Sequence, residues 1–472
     1  MFVSKHRLIP AVVACVVGLG AGAAMADDGS NQQQQLLQQR IDQLEAKVQT
    51  MQSQQSQDQA AVTAAIQQVV ADADHQSKLM DVEGAGINYD AVHGLHFASD
   101  DGNFYLHPWA LFQFQGIGTV TTSDHGDSAV QSNNGNSNTG FQIRHMEFGA
   151  EGHAITPLLH YDLQFESVAG AFTLQDAYAT YRLGESSPFL LKGGQFEDPT
   201  WHEGIVDDAH QLLMDRSLLN ALVGAGFNSA GFTTARDLGV GLVFRQDALR
   251  AEVDLTNGLG SANGNFTGVP LVPGSPPENF GLGGRAEWAV MGGNDRWREY
   301  DHFSSLGDKS DILVVGTGVS WTEAEDHDDV QWTIDGQWNT ASGLGIYGAF
   351  LSNFSNNGSN NAHDANNFTD FGFLIQAGYM LNSQWEVFAR YDLTLLSKHD
   401  AFNAALGTNN AVTNVHEIDA GVNWYLYGQR VKATLQGAIL PTGSPTALPS
   451  LGILADPKKF EAIGEAQLQI LL

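Results

Sequence analysis

The sequence predicts an all-β chain: a 16-stranded antiparallel transmembrane β-barrel preceded by an N-terminal helical coiled-coil segment. Three observations carry this reading. From about Val92 to Leu472, apolar and polar residues alternate with period two. Most of these runs last about 10 to 14 residues, enough to cross a bilayer at a tilt and longer than an ordinary soluble strand. The runs are joined by short turns on one side and long polar loops on the other, which is the transmembrane barrel pattern. Aromatic residues gather near both ends of the runs, as two membrane interfaces select. Charged residues are only 16% and mean hydropathy is -0.17. That hydropathy excludes a polytopic helical membrane protein but not a barrel, whose strands turn half their residues to a polar lumen.

In chain order, residues 1–26 form a secretory signal. Lys5 and Arg7 precede an apolar stretch from Leu8 that ends on Ala24-Met25-Ala26, a small-residue cleavage site. The single Cys15 leaves with it, so no disulfide framework is expected. Residues 27–91 are expected to be a periplasmic coiled-coil and linker segment. Between Asn31 and Met80 there is no Pro, Gly, Phe, Trp or Tyr. Leu37, Ile41, Leu44, Val48 and Met51 step by four and three, the spacing of a two-helix seam. The seam fails at Gln55 and Asp58 and resumes at Val62, Ala65 and Val69. A coiled coil implies an oligomer.

Residues 92–472 are assigned to the barrel, with strands beginning near 104, 139, 157, 172, 188, 237, 248, 279, 311, 328, 343, 369, 384, 415, 429 and 459. The last run is the clearest: Phe460, Ala462, Gly464, Ala466, Leu468, Ile470 and Leu472 share one face. Glu461, Glu465, Gln467 and Gln469 share the other. Tyr181, Trp288, Trp338, Tyr379, Trp385 and Tyr427 lie near the short turns, and Phe280, Trp321, Trp332, Phe350 and Phe371 near the long loops. The 291–310 connection is a misfit, being long on the short-turn side.

Several short motifs between about 92 and 225 occur in a characteristic order. They are Gly94-Leu95-His96-Phe97, Asp101-Gly102-Asn103-Phe104, Phe141-Gln142-Ile143-Arg144-His145 and Asp176-Ala177-Tyr178. Gly194-Gln195-Phe196 with Pro199, and Met214-Asp215-Arg216-Ser217-Leu218, complete the set. In these the chain resembles the phosphate-selective porin O and P family of Gram-negative outer membranes. The resemblance implies a trimeric 16-stranded barrel in outer-membrane lipid, diffusion of small anions, and a loop folded into the pore between the last two motifs.

The charges depart from that expectation. The chain has 22 Lys+Arg against 53 Asp+Glu, a net of -31, which excludes a nucleic-acid binder working by phosphate neutralisation. The bases assigned to the lumen are Arg182, Arg245, Arg250, Arg285, Arg390 and Lys432. The acids are Asp162, Glu166, Asp176, Glu252, Asp254, Glu287, Asp335, Glu386, Asp392, Glu417, Asp419, Glu461 and Glu465. Anion selectivity needs clustered donors, so an acidic wall predicts weak cation preference or little selectivity. Residues 198–236 are the candidate constriction loop, carrying Asp198, His202, Glu203, Asp207, Asp208, Asp215 and Arg216. Leu212-Leu213-Met214 and Leu218-Leu219 would pin it to the inner wall and leave the acids toward the pore.

No catalytic set, cofactor motif or metal-ligand spacing stands out. His202-Glu203 with His210 lacks the two-His spacing of a helical zinc site, and no G-x-S-x-G is present. The reading is therefore a passive outer-membrane porin for ions and small hydrophilic solutes, not an enzyme. An anion-selective porin and a structural tether are the alternatives.

Overall fold

The computed structural model describes residues 85–90, 94–122, 137–168, 171–224, 236–259, 278–293, 296–324, 327–357, 367–398, 411–454 and 458–472. The expected signal and coiled coil lie outside these residues. The strands are β1 (Ala85–Asp90), β2 (Gly94–Ser99), β3 (Tyr105–Thr121), β4 (Ser137–His153), β5 (Leu159–Val168), β6 (Ala171–Arg182) and β7 (Phe189–Glu197). Next come β8 (Arg236–Gln246), β9 (Leu249–Thr256), β10 (Glu278–Met291), β11 (Ile312–Ala324), β12 (His327–Asn339) and β13 (Leu344–Asn357). The last five are β14 (Phe368–Met380), β15 (Trp385–Leu395), β16 (Asn414–Tyr425), β17 (Val431–Leu440) and β18 (Glu461–Leu471).

From β3 onward each strand pairs antiparallel with the next, and β18 returns to β3, where Ile470 faces Phe112 and Glu461 faces Thr121. Sixteen strands thus close with no free edge, satisfying every backbone ladder internally, as a bilayer demands. Each strand begins within two residues of its position in the sequence reading. β1 and β2 were not anticipated. They form a hairpin, and β2 is laddered to β3 at Phe97 and Ala98. β1 also places strand inside the segment that the sequence reading assigned to coiled coil and linker.

Period-two alternation gives the wall two chemically distinct faces. Phe141, Val253 and Leu435 project from the outer face, at 81%, 62% and 61% exposure. On the inner face Gln113, Thr333 and Asn423 are fully buried. An apolar band of that extent is stable only against lipid. Its rims carry touching aromatics: Trp385 stacks on Trp424 at 5.4 Å, and Phe350 lies 4.9 Å from Trp332. Among the described residues, no helix is long and apolar enough to cross a membrane.

The inside is largely filled with protein. The long connection after β10 folds inward and buries Trp297, Tyr300 and Phe303. This is why it is long on a side of short turns. The connection before β18 also turns in, where Thr119 Oγ1 donates to Gly452 O at 2.6 Å. Among the described residues the largest insertion is 198–224, from the β7–β8 loop. Glycines make room for it: a Cβ on Gly318 would stand 2.3 Å from Thr200 O, and one on Gly372 2.4 Å from Leu219 Cδ1.

Candidate functional site

The inserted segment comprises three short turns, His202–Ile205, Asp208–His210 and Asn220–Gly224. Its leucines enter the inner wall as expected. Leu212, Leu213, Leu218, Leu219 and Leu222 cluster with Leu351, Leu374, Phe388 and Ala438. Burying a leucine contributes about 1.5–3 kcal/mol, so this contact holds the segment strongly.

Its acids do not all turn toward open space, contrary to the sequence expectation. Asp207 is open, with a side chain 74% exposed, and Asp208 is partly open. Asp198, Glu203 and Asp215 are buried against the wall. Asp215 accepts from Arg144 Nε at 2.6 Å. Glu203 accepts from Ser217 N and Oγ at 2.8 and 2.6 Å. Arg216 pairs with Asp208 and donates to Val206 O at 2.8 Å. The reason is that segment and wall share polar partners wherever leucines do not fill the contact. Leaving those partners unpaired under the loop would cost more than orienting them to water gains.

The same burial reshapes the predicted pore wall. The assigned charges lie on the inner face, but only Asp162, Arg182, Arg245, Arg250 and Glu252 remain open to water. Glu166, Asp176, Asp254, Arg285, Glu287, Asp335, Glu386, Arg390, Asp392, Glu417, Asp419, Lys432, Glu461 and Glu465 are buried. Many of them hold the inserted segments. Leu219 N donates to Asp392 Oδ2 at 2.7 Å and Leu218 N to Glu417 Oε2 at 3.1 Å. Lys432 Nζ donates to Gln211 O at 3.1 Å, and Ser304 Oγ to Glu386 Oε1 at 2.9 Å. Arg285 makes a two-toothed contact with Asp335 at 2.7 and 2.8 Å. The water-reachable part of the inner face lies on β4 to β9, opposite Asp207 and Asp208.

Sequence reasoning missed several inner-face groups. Arg236 binds Asp176 at 2.9 Å and Glu197 at 2.9 Å. Lys192 contacts Glu252 and lies 3.5 Å from Asp254. Arg144 and Glu147 sit beside a bulge in β4, where Phe114 pairs with Ile143 but Gln113 with His145. The extra residue shifts the phase, so His145 and Glu147 face inward although simple alternation from Gln142 turns them to lipid.

His202 is enclosed by Tyr300, Phe303 and Tyr347, stacking on Tyr300 at 4.0 Å. Its Nε2 is 3.0 Å from Gln337 Oε1. Burial, with Arg285 nearby, holds its pKa below the ordinary histidine value despite Asp335 and Glu287. The undocked segment therefore takes up a proton first, and docking loses stability as pH falls below about 6.5. Glu203 works the other way, since burial raises its carboxyl above the usual range. A comparison at His202 alone isolates the first effect. As pH drops from 7 to 5, proteolysis within 198–224 should accelerate more in the natural chain than in His202→Gln. Equal acceleration in both would refute the assignment.

A family profile described as phosphate-selective porin O and P matches residues 118–437, more than half of the chain. Among solved structures, the chain is similar to the anion-selective porin from Comamonas acidovorans at 12% identity and a TM-score of 0.54. That match covers 78% of this chain and 99% of the other, and it is a likeness of fold. The outer membrane channel DcaP of Acinetobacter baumannii matches at 10% identity and a TM-score of 0.49, covering 80% and 99%. No curated protein sequence matches.

Proposed function

This chain belongs to the phosphate-selective porin O and P family, and from that premise we propose that it conducts ions and small hydrophilic solutes with weak selectivity. A closed 16-stranded barrel of a porin family is an outer-membrane channel for passive diffusion, with a lumen wide enough for water. The passage runs between the inserted segment and the β4–β9 wall. The observation that carries this is the contrast in burial: the inner face elsewhere is sealed by protein, whereas Asp162, Arg182, Arg245, Arg250 and Glu252 stay accessible.

Among the accessible charges the acids outnumber the bases modestly. Glu151, Asp162, Glu197, Asp207, Asp208 and Glu252 stand with Arg182, Arg245 and Arg250. The acids buried under the loop act on ions only through the protein, so the open wall, rather than the whole wall, supports the weak preference. Anion selectivity is the second reading. It is favoured by one observation: Arg245 faces Arg250 across the β8–β9 ladder, and Arg182 lies within electrostatic reach of Arg245. Trimer formation, implied by the family, is part of the same proposal.

Planar-bilayer recordings with a KCl gradient test this directly. We expect discrete channel steps and a reversal potential near zero or of cation sign. Strong anion selectivity would overturn the weak-preference reading, and a silent bilayer would favour a structural tether. Changing Arg182, Arg245 and Arg250 together to Gln should move the reversal potential toward cations, because three cations leave the open wall. No movement would exclude them from the passage.

A further inference from the structure

Three carboxylates converge on one imidazole nitrogen inside the barrel. His145 Nδ1 lies 2.8 Å from Glu166 Oε1, 3.6 Å from Glu147 Oε1 and 3.4 Å from Asp208 Oδ2. Glu147 and Glu166 are direct partners across the β4–β5 ladder. The β4 bulge turns His145 onto their face, and Asp208 arrives from the inserted segment. His145, Glu147 and Glu166 are all buried.

Each carboxylate has its other oxygen anchored. Gln164 Nε2 donates to Glu147 Oε2 at 3.0 Å, and Gln175 Nε2 to Glu166 Oε2 at 2.9 Å. Arg216 holds Asp208 Oδ1. Gln175 is itself the extra residue of a second bulge, in β6. Three anchored acids thus aim their free oxygens at a nitrogen that has one proton to give. Like charges gather this way around a single N–H only where further protons or another cation fill the gap, and the anchored carboxylates beside an imidazole suit a cation. The ligand atoms of His145, Glu147 and Glu166 lie within 4.8 Å of one another. That spacing closes onto a zinc-sized ion at about 2.0–2.2 Å per bond with small side-chain shifts. The amides and guanidinium occupy the positions of outer partners that orient metal ligands.

We propose that His145, Glu147, Glu166 and Asp208 bind a divalent first-row transition cation, clamping the inserted segment to the β4–β5 wall. One imidazole among carboxylates favours such an ion over Mg2+, which prefers oxygen donors and keeps its waters. Entry is from the passage, through the partly open Asp208. Binding releases the proton on Nδ1. The clamp's effect on current rests on the channel reading; the binding does not.

The test equilibrates the purified full chain with ZnCl2, removes loosely held ion, and measures retained zinc by mass spectrometry and affinity by calorimetry. The natural chain should hold about one more Zn2+ than His145→Gln or Glu166→Gln. Gln175→Leu, which removes no ligand, should weaken affinity about tenfold or more, and excess Mg2+ should not compete. Two ligand variants are used so that one misfolded chain does not decide the outcome. Equal zinc in all chains would overturn the site, leaving a cluster that shares protons only. In bilayers, Zn2+ should lower the conductance of the natural chain and not of Glu166→Gln; bound zinc with unchanged current would overturn the clamp. A chain that binds zinc yet passes no current would sink the channel reading alone.

Discussion

Replacing Arg390 with Met should release the inserted segment from the wall. Arg390 is 4% exposed and serves several partners at once. Its Nε donates to Asp419 Oδ2 at 3.0 Å and its Nη1 to Asp215 O at 2.9 Å. Glu417 lies 3.4 Å and Glu203 3.8 Å from the guanidinium. Three carboxylates, two from β16 and one from the segment, therefore depend on one cation. Removing one partner of a buried ionic group costs about 3–5 kcal/mol, because the remaining charges stay buried without compensation. Arg390→Lys keeps the charge but loses the planar fork, and should fall between. Protease cleavage within 198–224 and the unfolding temperature of the detergent-solubilised barrel measure the effect. Unchanged values for Arg390→Met would show that the leucine contacts alone hold the segment.

Deleting residues 203–222 should raise single-channel conductance several-fold, since a wider lumen admits more water and ions. The deletion should also shift selectivity strongly toward cations. Glu386, Asp392, Glu417, Asp419 and Glu465 now sit beneath the inserted protein, together with only Arg390 and Lys432 among the assigned bases of those strands. Without the cover, five carboxylates would face water against two cations. Conductance and reversal potential report these two effects separately. A deletion that widened the channel without the cation shift would mean that the carboxylates take up protons or repack. Unchanged conductance would remove the segment from the conducting path.

The strands were legible because lipid on one side and polar filling on the other impose the same alternation on every run. Phe460 to Leu472 and Trp385 to Leu395 needed nothing more than period two. The filling was not legible. Glu417 or Asp392 alternates identically whether it meets water or the backbone N–H of Leu218 or Leu219, so an acidic wall was read where most acids are anchors. The bulge in β4 was hidden too, because no Gly or Pro marks it. A fixed period counted from Gln142 turns His145 and Glu147 outward, so the cluster at Glu166 goes unseen. Arg236 was lost by a smaller error, lying one residue before its strand was thought to begin. The leucines of the inserted segment were read correctly because Leu212-Leu213 and Leu218-Leu219 have no reason to stand in an exposed loop.

The closing ladder between β3 and β18 has a kinetic consequence. It joins residues about as far apart in sequence as the barrel allows, so it carries the largest loop-closure entropy and the slowest expected step of assembly. Its glutamines are shared with the inserted segment. Gln113 Nε2 donates to Gln469 Oε1 at 2.9 Å and to Asp208 O at 3.2 Å. Gln469 Nε2 donates to Ala209 O at 3.1 Å, and Gln115 Nε2 to both Gln467 Oε1 at 2.7 Å and Asp215 Oδ2 at 3.3 Å. The ends of the ring therefore meet over a template made from the middle of the chain. A segment docked before closure shortens the search for register at the seam.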